Sequence, residues 1–439
     1  MFILSVPRTN KIFLVVFAVF SYSIIDEVIV LKKIQSKIHA KIKEKKITAL
    51  YVQKSAKYEH AVAYSRLNTY SLAASCINTN SNVGKKINLI LPGLPPNGVF
   101  AGIKTALEFT SRLSLNLSLD VRIITFGIFP DEQSKGWIAN NLFPNISVEF
   151  VSDYDIVNLS VNPDDIWIAT YWTTAHSLTV AAHLGIIKPQ NVVYLIQDHE
   201  SGFHPWSTAF ALTEETYLIG FHHIVNSYPL FNALKKANIP CSEELVFFPE
   251  IDLHMLKKSC ADRKSSKKIR ILFYGRPSKP RNLFDIGIGA LTLLAKKIDV
   301  TDYELEVVSA GEKHEDIVLS DKVTLRSLGK LSWEGYFNKL GETDIVFSLQ
   351  CSPHPSHPPL DAITSGAYAV TNDLNGTRQG LHPRMYVAVA SPDKLADKLF
   401  CAIQDVHENG CYEYDETLVQ SYGRPMNDVI TTISRCIVN

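Results

Sequence analysis

The sequence predicts an α/β fold of two doubly wound domains preceded by a helical extension, and three observations predict it. Short apolar runs alternate with helix-length segments from Ile87 to Val225, a polar stretch (Lys257 to Lys268, KKSCADRKSSKK) interrupts them, and the series restarts at Ile269. Such alternation builds a parallel sheet with helices on both faces.

The composition allows this. At 439 residues the chain exceeds one ordinary core, since domains average about 150 residues. With 46% hydrophobic and 20% charged residues it is globular rather than disordered. Lys+Arg and Asp+Glu are both 44, which argues against a nucleic-acid partner and makes any anion site local. Seven scattered cysteines with no C-x-x-C pair argue against a disulfide framework or a zinc site, and fit a cytoplasmic compartment.

The extension, residues 1–80, opens on an apolar run from Ile12 to Ile25 stopped by Asp26 and Glu27. It is shorter than the roughly 20 residues of a membrane span, and no convincing small-residue cleavage site follows it. Seven lysines lie between Lys32 and Lys46. Peripheral attachment to an anionic inner membrane face and a packed helix with a solvated basic face both account for this pattern.

The first domain is expected over 81–256. Ile87 to Leu91 reads as a strand, the Gly/Pro-rich turn PGLPPNG follows, and Ala101 to Leu113 reads as a helix. Further strands are expected at Val121–Phe126, Ser147–Val151, Ile166–Thr170, Val192–Gln197 and His223–Val225. After a linker at 257–268, the second domain spans 269–410. Its strands are expected at Ile269–Tyr274, Tyr303–Ser309, Lys322–Leu328, Asp344–Leu349 and Ala367–Thr371, and its helices near Leu283–Lys297, Trp333–Leu340 and Leu360–Ser365. A helical segment, 411–439, closes the chain. Two open parallel sheets bind ligands beyond the carboxyl ends of their strands, so facing domains enclose a cleft with a site on each wall.

Candidate site residues follow from that rule. Tyr274 to Asn282 (YGRPSKPRN) is a glycine turn directly after a strand, and Arg276 and Arg281 fit a diphosphate through forked, charge-assisted hydrogen bonds. A solvated basic turn explains the same residues. Cys351 to Gly366 (CSPHPSHPPLDAITSG) runs from a strand end into a helix opened by Pro358 and Pro359, with Asp361 expected in the first turn and the helix amides available to oxygen ligands. On the opposite wall, Asp198, His199 and Glu200 follow a strand end, where they suit acceptor hydroxyls or a base, with His204 and Trp206 shaping a sugar platform. Capping and core packing explain each of these singly. Trp172, Thr173 and Thr174 follow another strand end, although helix initiation explains the threonines. Gly98, Gly102, Gly275 and Gly329 permit close backbone approach on the donor side. Asp153-Tyr154-Asp155 has the look of a metal-binding D-x-D but reads here as a surface turn.

These motifs resemble the retaining GT-B glycosyltransferases, whose fold is two Rossmann-like domains about a cleft. Within them, SPHPSHPPLD and LIQDHESGFHPWS (Leu195 to Ser207) most resemble the WsaF-like rhamnosyltransferases of cell-surface polysaccharide assembly, over roughly Ile87 to Leu399. The resemblance implies a nucleotide-sugar donor, dTDP-L-rhamnose, and a glycan or lipid-linked glycan acceptor. It implies that Arg276 and Arg281 bind the donor diphosphate with no metal or other cofactor. Of the family's two Glu separated by seven residues, the second falls on Asp361, which can still hold a ribose, and the first on Pro353, which cannot hold a sugar. His354, Ser356 or His357 is then expected to supply other contacts to the sugar. A glycoside hydrolase using two of Asp198, Glu200 and Asp361, and a noncatalytic sugar-binding protein, are the alternatives.

Overall fold

The computed structural model describes residues 77–439 apart from Asn97, Gly98, Phe100, Pro249, Glu250, Ser265, Val300, Asp302, Pro355 and Asn439. The expectations for the apolar run, the lysine-rich stretch and Gly98 therefore fall outside the described residues.

The first sheet forms from β1 (Lys86–Leu91), β2 (Asp120–Thr125), β3 (Val148–Ser152), β4 (Ile166–Ala169), β5 (Val192–Ile196), β6 (His222–Asn226) and β7 (Val246–Phe247). Its spatial order is β3-β2-β1-β4-β5-β6-β7, with every pairing parallel. The apolar runs of β4 and β5, and the apolar residues of β1 (all but Lys86 and Asn88), are buried on both faces, as a covered parallel sheet requires. The crossover helices are α1 (Ala101–Leu117), α2 (Glu132–Leu142), α3 (Trp172–His183), α4 (Thr208–Thr216) and α5 (Tyr228–Lys236). Strand order reverses between β1 and β4, which opens the crevice where such sheets hold ligands.

The second half repeats the design. After α6 (Leu253–Ala261) come β8 (Ile269–Gly275), α7 (Phe284–Ile298), β9 (Leu305–Gly311), β10 (Ile317–Val318), β11 (Thr324–Ser327), α8 (Trp333–Gly341), β12 (Ile345–Phe347), α9 (His357–Thr364), β13 (Tyr368–Asn372), β14 (Met385–Ala388) and α10 (Pro392–Asn409). The sheet order is β10-β11-β9-β8-β12-β13-β14, parallel except for the short edge strand β10. Its reversal lies between β8 and β12. The loops after those strands, Arg276–Arg281 and Ser348–His357, therefore flank one crevice.

Two segments depart from the expected layout. The stretch 257–268 begins inside α6, which Asp252 caps by accepting from the Met255 N–H at 3.1 Å. Leu256 is buried in the second domain's core, and Ser259 donates to the Phe337 carbonyl at 2.8 Å, so this polar run is half helix rather than linker. After α11 (Thr417–Gln420) the chain returns, and α12 (Met426–Val438) buries Met426, Val429, Ile430 and Ile433 in the first domain's core. Each such side chain contributes about 1.5–3 kcal/mol.

Both passages between domains run side by side. Phe248 N–H donates to the Arg424 carbonyl at 3.1 Å and Arg424 N–H to Val246 at 2.9 Å. Gly423 makes this contact possible, because a Cβ there would lie 2.3 Å from the Phe247 carbonyl carbon. Among the described helices none is long and apolar enough to cross a membrane.

Candidate functional site

The second-domain wall is built at the β8/β12 reversal. Arg281 lies in a single 3-10 turn, Pro280–Asn282, and its carbonyl accepts from the Cys351 N–H at 2.7 Å, tying the two loops together. Its exposed guanidinium lies over the Phe203 ring, 4.4 Å from the centroid, and so reaches the first-domain wall. Arg276 is held elsewhere. Its Nε lies 3.7 Å from Glu312, whose carboxylate also accepts from the Ser278 N–H and hydroxyl at 2.9 and 2.7 Å.

The glycines act as spacers around these groups. A Cβ on Gly275 would meet the Phe284 ring at 3.1 Å. Gly329 has φ +69°, a left-handed turn, and its carbonyl accepts from Gly311 at 3.0 Å. Across the cleft, Gly102 lets α1 approach the end of β5, where the Gln197 amide donates to the Gly102 carbonyl at 2.9 Å.

The loop after β12 carries four prolines between 352 and 359. Ser352 is buried and donates from its hydroxyl to Asp198 of the first domain, while accepting from the His354 N–H at 3.2 Å. His354 is 7% exposed, and its Nε2 has no hydrogen-bond partner among the described residues. Burial, with help from His357 and the charges of Arg378 and Arg281, pushes its imidazole down to about 3 and keeps it neutral. The His357 ring lies 6.3 Å away, and the Ser356 hydroxyl lies 3.1 Å from that of Ser348.

Helix α9 begins at His357, so Asp361 sits in the second turn rather than the first, and the helix dipole does not account for it. Tyr336, which the sequence reading missed, donates to Asp361 at 2.8 Å. Burial pushes this carboxyl up to about 7. Because Pro358 and Pro359 have no N–H, the helix N-terminus offers oxygen ligands fewer amides than expected.

On the first-domain wall, Asp198 is 8% exposed and accepts from the His199 N–H at 2.9 Å as well as from Ser352. Burial raises its carboxyl, while the Ser352 hydrogen bond and the Arg281 charge oppose that rise. His199 Nε2 lies 3.3 Å from Glu214. Trp172 and His204 pack edge to face at 5.2 Å, and Trp172 Nε1, His204 Nε2 and the Ser201 hydroxyl are buried without partners among the described residues. Trp206 is 94% exposed and stacks on Phe210 at 6.1 Å.

Two acceptor-side expectations change. Glu200 is 3% exposed and turned inward, where it accepts from the Trp172 N–H at 2.5 Å and the Tyr194 hydroxyl at 3.0 Å. Burial pushes it up to about 8. It thereby caps the helix presenting Trp172. Thr174 likewise serves helix initiation, accepting from Thr170 and Tyr171 N–H at 3.0 and 3.1 Å. Thr173 is half-buried in the same turn, where its carbonyl accepts from Ser177 at 2.9 Å.

The Asp153 turn is tighter than a surface turn, because Asp153 is 6% exposed and burial pushes its carboxyl up to about 7. Among the described residues no three His, Cys, Asp or Glu side chains are grouped to hold a metal ion.

These raised carboxyls set a pH dependence of stability. Each binds its proton more tightly when folded, so stability is highest below the unfolded pKa of about 4 and falls as pH rises through the folded value. Burial pushes down the imidazoles of His176, His204, His223, His354, His357 and His382, which works the other way until unfolded histidines lose their protons near about 6.5. With Asp153 and Asp361 at about 7 and Glu200 at about 8, the melting temperature is therefore expected to fall between about pH 6.5 and 8. Thermal melts across that range check this; a rising profile contradicts it.

Two Rossmann-like domains with their sites on facing strand ends form the GT-B arrangement. The fold matches that of α,α-trehalose 6-phosphate synthase from Burkholderia multivorans, with a TM-score of 0.50 at 8% identity over 81% of this chain and 98% of that one. A glycosyltransferase from Rickettsia africae aligns with a TM-score of 0.45 at 13% identity over 81% of this chain and 94% of that one. Residues 86–233 match the family model for the WsaF N-terminal domain, and residues 269–400 match that for the WsaF C-terminal domain. Together these matches take in more than half of the chain, and the chain belongs to the WsaF family. It is 30% identical over 209 residues to O-antigen biosynthesis protein RfbC from Myxococcus xanthus, a match covering 48% of this chain and 16% of that protein.

Proposed function

We propose that the chain is a glycosyltransferase that moves a sugar from a nucleotide donor onto a glycan or lipid-linked glycan acceptor in surface-polysaccharide assembly, with dTDP-L-rhamnose as the donor. The observation that carries this reading is the meeting of Arg281, Asp198, Ser352 and His354 where the ends of the two sheets face each other. The family membership and the likeness to an O-antigen biosynthesis protein support it.

In this reading Arg281 neutralises the departing diphosphate, with Arg276 joining once it exchanges Glu312 for phosphate, so no metal is needed. Asp361 holds the ribose. The neutral His354 and His357 meet the donor sugar in place of the carboxylate that Pro353 cannot supply. Asp198, released from Ser352, takes the acceptor hydroxyl, and Trp172, His204 and Trp206 pack the acceptor sugars. The lysine-rich stretch from Lys32 to Lys46 would hold the enzyme against the inner face of an anionic membrane.

The hydrolase alternative loses one of its carboxylates, because Glu200 is engaged as a cap. Calorimetry with dTDP-rhamnose, UDP-glucose and GDP-mannose tests the proposal. Selective binding of dTDP-rhamnose is expected; selective binding of another donor replaces the sugar, and binding of none removes the transferase reading.

A further inference from the structure

Arg378 is 1% exposed, yet among the described residues it forms no ion pair within 4.0 Å. Its hydrogen bonds go to main-chain carbonyls instead: Nη1 donates to Asn372 at 3.0 Å, and Nη2 donates to Ser352 at 2.5 Å and His354 at 3.1 Å. Its own N–H donates to Asp373 at 3.2 Å. Burial lowers the Arg378 pKa, and the largest opposing influences are the charges of Asp198, across the domain boundary, and Asp373. A buried cation without a close counter-ion is expensive to keep, so its retention calls for a reason.

The sequence of the clasped loop supplies one. The Ser352 and His354 carbonyls both precede prolines, and Pro353, Pro355, Pro358 and Pro359 leave the segment short of N–H groups with which to pair its carbonyls. Nη2 alone meets both loop carbonyls while Nη1 meets Asn372 at the end of β13, so a planar fork bridges the two segments, whereas one ammonium cannot reach both in that geometry.

We propose that Arg378 is a positioning residue of the donor site, whose guanidinium clasps the proline-rich loop 351–357 to the end of β13 and thereby holds Ser352 and His354 at the cleft. This rests on the donor-site reading above. It assigns the loop's shape to a side chain that need not touch the donor, so its loss should show as looseness of the loop and weaker donor capture, with the chemical step less affected.

The test uses the full chain and the variants Arg378→Lys and Arg378→Met, each checked for folding by its melt. Amide exchange over 348–360 is expected to quicken by about tenfold or more in both, with the central strands β8 and β12 unchanged. The donor KM is expected to rise by about 10- to 100-fold, as when the binding-competent loop falls to about 1–10% of the population, with kcat within about threefold. Arg378→Lys keeps the charge but not the fork, and is expected to recover little.

Loop exchange unchanged in a folded variant overturns the proposal, as does full rescue by Lys. In the wild type, NMR should show slowly exchanging, individually resolved Arg378 guanidinium protons, and rapid exchange there overturns it even if the variants do not fold. If the wild type binds no nucleotide sugar, the donor reading fails, while loop and guanidinium exchange still decide whether Arg378 is the clasp.

Discussion

Replacing Arg281 by Ala is expected to lower kcat/KM for the nucleotide sugar by about 10²- to 10³-fold, the span seen when one donor to a developing anion is removed. The geometry explains why so much falls on one residue. Pro358 and Pro359 remove amide donors from the start of α9, and Arg276 is engaged by Glu312, so the exposed guanidinium of Arg281 is left as an available cation at the β8/β12 crevice. Arg281→Lys keeps the charge but loses the fork and the flat contact with Phe203, and should fall between the two, about tenfold below wild type. The fold should tolerate both, because the side chain is exposed. Steady-state kinetics beside thermal melts check this. A folded Arg281→Ala protein with wild-type kinetics would separate Arg281 from the leaving group and take away the observation on which the proposed function rests.

The fold was legible because parallel strands buried on both faces leave long apolar runs, and β1, β2, β5 and β8 fall within a residue or two of where those runs lie. The return of α12 to the first domain was not legible. Its apolar face shows that it packs, but not on which core, since local periodicity carries no long-range address. The polar run 257–268 misled for a related reason: a surface helix needs few buried positions, and Leu256 and Ser259 satisfy α6.

The placement of the candidate residues was legible wherever strand ends give the rule, as at Arg281, Asp198 and the loop after β12. It was illegible where burial decides. An arginine at 378 reads as surface charge in sequence, and Tyr336 as an ordinary aromatic; only tertiary packing places one under the proline-rich loop and the other on Asp361. The grouping of Asp198, His199 and Glu200 hid a division of labour for the same reason. Two residues apart, one carboxyl reaches across to Ser352 and the other turns into its own domain.

That division gives the second large effect, on stability. Glu200→Ala is expected to destabilise the protein by about 2–4 kcal/mol, because it leaves the buried Trp172 N–H and Tyr194 hydroxyl without their acceptor. Glu200→Gln keeps a carbonyl oxygen there. Since burial pushes the Glu200 carboxyl up to about 8, the wild-type side chain is largely neutral at pH 7, and the amide should cost less than about 1 kcal/mol. The sign with pH is opposite to that of a salt-bridged carboxylate: the raised pKa makes the contribution of Glu200 to stability fall as pH rises from about 4.5 to 8, and Glu200→Gln should remove that falling contribution. Denaturant melts at pH 5, 7 and 8.5 measure all three effects. Kinetics then separate cap from base, because removing a general base costs about 10²-fold or more, whereas a cap replaced by Gln should leave kcat within about threefold. A folded, stable Glu200→Gln protein with kcat reduced a hundredfold would return Glu200 to the chemistry and require α3 to shift so that its carboxyl faces the acceptor.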